Sequence, residues 1–166
     1  WRRSMPPTSA KLVADYILCF AHECGDLITN LKLQKLLYYA QAWYLALYDE
    51  PLFPDPLEAW VHGPVQPGQY HRFKEHKWNP ISEEPECSAF SAQVKSHLDD
   101  IMDVYGDLTA HHLERLVHQE DPWIKARKGL PPDAPCNNPI SWDDMKAFYK
   151  GVLGGQDQEA RQETAG

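Results

Sequence analysis

No apolar run in this 166-residue chain approaches the roughly 20 residues that cross a bilayer, so a soluble protein with no membrane partner is expected. The signatures of the common enzyme classes are missing as well: there is no G-x-S-x-G, no P-loop and no G-x-G-x-x-G. The four cysteines, Cys19, Cys24, Cys87 and Cys136, show no C-x-x-C or paired spacing. Neither a disulfide framework nor a zinc knuckle is expected, and a reducing cytoplasm fits best. Eight histidines are present, yet His111 and His112 are adjacent and His71 and His76 are five apart. Neither pair has the i, i+4 spacing that sets two ligands on one helical face, so no metal and no cofactor is expected. Basic residues are scarce: 16 Lys and Arg face 24 Asp and Glu, for a net charge of -8 and a pI near 5.4. That balance argues against a grip on a phosphate backbone, which rests on clustered cations releasing counterions, and a basic protein partner fits better than nucleic acid. The start lacks the charged-then-apolar pattern of a secretory signal. Residues 1–7 read as an N-terminal extension, with "WRRS" an expression remnant and Met5 the natural start.

What is present is a core. A hydrophobic fraction of 43%, with 6 Trp, 8 Tyr and 5 Phe, suffices for one domain that buries about two-thirds of its unfolded surface. Thr8 or Ser9 caps a first helix whose apolar residues Leu12, Val13, Tyr16, Ile17 and Phe20 recur at helical spacing until Gly25. Thr29 caps a second, "NLKLQKLLYYAQAWYLALY", with a broad apolar face from Leu33 to Leu47 that places it centrally, and Pro51 bars its continuation. Leu52-Phe53 and Glu58–Val61 read as two short strands or an extended hairpin-like loop. "QYHRFKEH" is a short helix. Ser88 or Ser91 opens a long helix ending at Gly106, Thr109 caps another, Pro122 starts a short one that Gly129 ends, and Ser141 caps the last. The fold class is mainly α, with a small extended insertion after the second helix, over residues 8–153. Residues 154–166 have too few apolar side chains to fold alone and form a flexible tail.

Four constellations invite a functional reading. "HQED", His118 to Asp121, is either an acid–base cluster or a cap in which Glu120 or Asp121 serves the helix begun by Pro122; capping is favoured, and a hydrolase built on His118 and Glu120 is the remaining enzymatic alternative. Cys19 reads as a small core residue rather than a nucleophile, because no basic neighbour accompanies it. Residues 26–45, a turn followed by a helix with Lys32 and Lys35 near its start, have the form of a helix-turn-helix, which makes a DNA-binding regulator the alternative function. The apolar loading of that helix opposes this, and two solvated lysines beside a core face are the plainer reading. Finally, "PLEAWVHGPVQPGQYHRFKEH" surrounds the rigid Gly63-Pro64 corner with Glu58, Trp60, His62 and Tyr70. Glu58 and Trp60 are read mainly as anchors. Tyr70, His71 and Phe73 are equally an aromatic recognition surface of the kind that dominates protein interfaces.

Taken together, "LKLQKLLYYAQAWYLAL", "PLFPDPLEAWVHGPVQPGQYHRFK" and "LERLVHQEDPWIKAR" resemble, in that order, the Panacea domain family, which includes SocA-like antitoxins and GepA-type phage-associated proteins. The resemblance runs from about Lys11 to Tyr149. Its motif positions here are Lys32, Leu33, Lys35, Leu36, Tyr38 and Trp43 on the second helix, then Glu58, Ala59, Trp60, Gly63, Pro64, Val65 and Tyr70, and late in the chain His118, Pro122 and Trp123. It implies a non-enzymatic, helical, cytoplasmic antitoxin whose partner is a cognate toxin. It also implies, on the pattern of SocA, delivery to an ATP-dependent protease such as ClpXP, although no residue here marks a protease-docking site. Most motif positions are expected to define the fold. Tyr70, His71 and Phe73, with Lys32 and Lys35 at the start of the second helix, are the expected partner-binding residues.

Overall fold

The computed structural model describes residues 5–165, with side chains through residue 155; residues 1–4, where the expression remnant was expected, and Gly166 lie outside the described residues. Helix α1 (Ala10–Glu23) starts at Ser9, whose hydroxyl accepts the Leu12 N–H, and stops before Gly25 at φ +72°. Helix α2 (Asn30–Tyr48) starts where Thr29 Oγ1 accepts the Lys32 N–H at 3.2 Å, and it ends at Asp49 in the left-handed conformation. Two three-residue strands, β1 (Glu58–Trp60) and β2 (Gly63–Val65), pair antiparallel with Trp60 opposite Gly63. Helix α3 (Pro67–Phe73) runs into a 3-10 turn (Lys74–His76). Four further helices follow: α4 (Ala92–Tyr105), α5 (Ala110–Val117), α6 (Asp121–Ala126) and α7 (Trp142–Ala165). The mainly helical class and a hairpin after α2 are as expected, but the strands are not the expected pair: Leu52-Phe53 is buried loop, and Glu58–Trp60 pairs with Gly63–Val65 instead.

Helix α2 is the axis of the fold, packed by α1, α4, α5, α7 and β2. Leu33, Leu36, Leu37, Tyr38, Tyr39 and Ala40 are fully buried, as the apolar spacing required. Leu47, at the far end of the expected face, is instead 48% exposed. The larger departure is on the polar side. Asn30, Gln34, Lys35 and Gln41 are also buried, and they bind the backbone of the insertion. Gln41 Oε1 accepts the N–H groups of Leu52 (2.8 Å) and Phe53 (3.2 Å), while its Nε2 donates to Phe53 O (2.8 Å). Gln34 Oε1 accepts the Gln66 N–H at 2.9 Å, and Asn30 Nδ2 donates to Tyr70 O at 3.1 Å. A loop buried against a helix needs partners for its peptide groups, and amide side chains supply both donor and acceptor.

Two expectations are corrected. Cys19 and Cys87, 68 residues apart, meet as a disulfide with Cα atoms 6.5 Å apart, because the segment before α4 folds back across α1; no spacing in the sequence signals a pair made by tertiary approach. Helix α7 also runs past the expected stop near residue 153 to Ala165, since elongating a helix already nucleated against α2 costs little even through polar residues.

Candidate functional site

The Gly63-Pro64 corner closes over Lys35. Gly63 has φ +107°, a region L side chains avoid, and a Cβ placed there would stand 2.7 Å from Lys35 Cε. Gly63→Ala is therefore expected to destabilise the protein by about 2 kcal/mol, read as a lower urea midpoint at unchanged m-value. Beneath the corner the Lys35 amine is wholly buried, and Pro64 O, its hydrogen-bond acceptor, is 3.5 Å away. No carboxylate ion-pairs with it among the described residues. Burial pushes its pKa down to about 7, with the charge of Glu114 opposing. Glu114 is held by His62 at 2.9 Å and lies 3.9 Å from His118 Nε2. His118 stacks on Trp123 at 4.2 Å between centroids, and burial lowers its pKa too.

Trp60 Nε1 donates to Glu58 Oε1 at 2.9 Å, a bond between two residues of β1 rather than one to a helix. Trp123 Nε1 donates to Trp60 O at 2.8 Å. Arg127, which the sequence reading passed over, is 2% exposed and donates to Ala59 O (2.9 Å), Pro131 O (2.9 Å) and Ala134 O (2.5 Å), with its guanidinium 4.8 Å over the Trp123 ring. One cation thus ties β1 to the long loop before α7. In sequence it looked like any arginine near a helix end; only the three carbonyls give it away.

Glu120 occupies the N-cap position of α6 but makes no capping hydrogen bond. Its carboxylate turns inward and accepts the hydroxyls of Tyr39 (2.9 Å), Tyr38 (3.3 Å) and Tyr149. Burial raises its pKa despite the three donors. His118 faces Trp123 while Glu120 faces the tyrosines, so the pair expected to act together in the hydrolase alternative is split between two environments.

The expected partner-binding residues divide. Trp60 and Tyr70 are half-buried with rings 4.9 Å apart edge to face, and exposed His71 continues the row at 5.7 Å. Phe73 is fully buried and belongs to the core. Lys32, 9% exposed, donates to Gly106 O at the end of α4, where a cation complements the helix dipole. Lys35 lies under the corner. Neither lysine is presented to a partner, and α2, enclosed on its sides, does not offer the free face that a recognition helix lays in a groove. Burial of Lys32 and Lys35 takes away the basic face on which the helix-turn-helix reading of residues 26–45 rested.

A family model described as the antitoxin SocA-like Panacea domain matches residues 33–124, more than half of the chain. Antitoxin SocA of Caulobacter vibrioides (strain NA1000 / CB15N) is 40% identical over 76 residues, covering 42% of this chain and 40% of that protein. The chain thus matches less than half the length of this curated relative. No solved structure matches the chain. The corner, Tyr70, His118, Glu120 and Trp123 all fall within the family match, whereas Arg127 and Tyr149 lie beyond it.

Proposed function

Because the chain belongs to the SocA-like Panacea antitoxin family, we propose that it neutralises a cognate toxin by direct protein–protein binding, without catalysis of its own. The observation that carries the reading to a surface is the Trp60–Tyr70–His71 row. Its aromatic rings are partly solvent-facing and sit on a corner braced from below by Gln34, Asn30 and Arg127, so they are already ordered before a partner arrives. Rigid aromatics bind with little loss of side-chain freedom, which is why such residues dominate interface energetics. The net charge of -8 favours a basic partner. No helix of the described residues is long and apolar enough to cross a membrane, consistent with a partner met in solution.

The test is co-expression with the product of the adjacent gene. A neighbour that is toxic alone, tolerated with this protein and recovered in complex with it supports the proposal; a neighbour that is harmless, or stays toxic without forming a complex, removes it. Tyr70→Ala and His71→Ala together are expected to weaken the complex by about 30-fold, roughly 2 kcal/mol, with the melting temperature preserved. Phe73→Ala is the control that lowers stability instead. The toxin's lifetime separates two modes of neutralisation: occlusion leaves it unchanged, and delivery to an ATP-dependent protease such as ClpXP shortens it.

A further inference from the structure

The segment 77–91 crosses α1 as a strap with neither helix nor strand. Its first half is tied by the buried Ile81, whose N–H donates to Ile28 O at 2.8 Å, and by His22 against Glu83 O at 3.0 Å. Its end is tied by Phe90, edge to face with Tyr16 at 5.5 Å. Between Glu83 and Phe90, every tie to the body among the described residues runs through a cysteine sulfur. Cys19 is buried on α1 and Cys87 is exposed on the strap, so a reagent in solution reaches the Cys87 side of the disulfide first. Both sulfurs border an open groove between α1 and α4, about 440 Å³ in volume, whose rim carries Glu23, Asp99 and Asp103. Lys95, the cation on that rim, is paired to Asp99 at 2.8 Å. Glu84 and Glu86 add to the negative field beside Cys87.

We propose that Cys19 and Cys87 form a reversible thiol–disulfide site that exchanges with small cationic thiols and disulfides, and that only the oxidised form holds residues 84–89 of the strap on α1. Oxidation by a small disulfide RSSR balances in two steps. Cys87 thiolate attacks RSSR, giving a Cys87–S–S–R mixed disulfide and releasing one RS⁻; Cys19 thiolate then attacks the Cys87 sulfur and expels the second. In sum, two protein thiols are oxidised and one RSSR is reduced to two RSH. Reduction runs the same steps backward. In the oxidised structure the other contacts of the two sulfurs are weak, Cys19 Sγ at 3.2 Å from Pro85 O and Cys87 Sγ at 3.7 Å from Asp15 O, so opening the bond removes the strongest tie of residues 84–89. Carboxylates around the exposed sulfur repel anionic reagents and concentrate cationic ones. The site is independent of how the aromatic row is used.

The experiment uses the full chain carrying Cys24→Ser and Cys136→Ser, so that the strap pair is the sole source of thiols, treats it with cystamine, and reads intact mass, free thiols in denaturant and limited proteolysis with and without dithiothreitol. Expected after cystamine are no labelled cysteines and a mass two hydrogens below the reduced protein with no cysteamine retained; after reduction, two labelled cysteines. Reduction should lower the melting temperature by about 10 °C, as expected for opening a loop of this length, and should speed Glu-specific cleavage at Glu84 and Glu86 while leaving α2 intact. Adding Cys87→Ser should match the reduced protein and abolish the two-hydrogen loss. At low salt, cystamine should oxidise the pair about ten times faster than glutathione disulfide, and salt should narrow that gap. Two labelled cysteines after cystamine, an unchanged cleavage rate at Glu84 and Glu86 on reduction, or glutathione disulfide reacting as fast as cystamine at low salt each overturn the proposal.

Discussion

Lys35→Met should stabilise the protein by about 4 kcal/mol at pH 7 and raise its melting temperature by about 10 °C. Methionine has nearly the length of the lysine stem, so the space under the Gly63-Pro64 corner stays filled, and what is lost is a long contact to Pro64 O. What is removed is the cost of stripping the proton from a wholly buried amine whose pKa has fallen from 10.5 to about 7. Between those two values the unfolded chain holds the Lys35 proton and the folded chain does not. Folding is therefore opposed by protons in that window, and stability rises with pH. Wild-type stability should climb by about 3 kcal/mol from pH 7 to pH 9.5, and the advantage of the methionine variant should shrink to about 1.5 kcal/mol over the same span. Above about pH 10 the slope should reverse, because unfolded tyrosines ionise there while the buried Tyr38 and Tyr149 hydroxyls, held up mainly by burial and by Glu120, keep their protons. Urea denaturation at pH 7, 8.5 and 9.5 checks the sign: a methionine variant no more stable than wild type at pH 7, or a flat wild-type profile, excludes a neutral buried lysine.

Arg127→Ala should cost about 3–5 kcal/mol, the largest loss expected from a single side chain outside the apolar core. The guanidinium satisfies the buried carbonyl of Ala59 and the partly buried ones of Pro131 and Ala134, and it covers the Trp123 ring. Removing it leaves Ala59 O unpaired beside a cavity and unties the loop from β1. Arg127→Lys should recover only part of the loss, because a single ammonium lacks the planar fork that reaches three acceptors at once. Thermal unfolding checks the stability. If β1 is held as described, Arg127→Ala should also loosen Trp60 and so weaken the proposed partner complex indirectly, while Tyr70→Ala acts on that complex alone.

These two residues show where sequence reading stops. The caps at Thr29, Thr109 and Ser141 were legible, and those at Ser9 and Ser91 were legible as one of two candidates each, because each depends on a side chain and a backbone N–H only three residues away. The apolar face of α2 was legible for the same reason, since helical spacing alone gathers Leu33, Leu36, Leu37 and Ala40. The polar residues of α2 were not. Lys32 and Lys35 were expected at a surface because lysine in a helix is ordinarily solvated, and nothing local says that Gly106 O and the corner will lie against them. Glu120 was expected to cap α6, whereas its partners are tyrosines 29 to 82 positions away. Phe73 was offered as a contact on its residue type, and packing decided otherwise.

By itself, then, the sequence determined the mainly helical class, the order and starts of the helices, the hairpin after α2 and the family to which the chain belongs, all of which rest on local periodicity or on motifs that survive as strings. Tertiary structure alone decided which charges are buried, that Cys19 meets Cys87, and that half-buried Trp60 and Tyr70 form a row with exposed His71 while Phe73 is buried. The physical reason is reach. Helical pattern is set within one or two turns, but desolvation, disulfide approach and exposure are set by whatever distant backbone comes to lie against a residue, and no spacing along the chain encodes that distance.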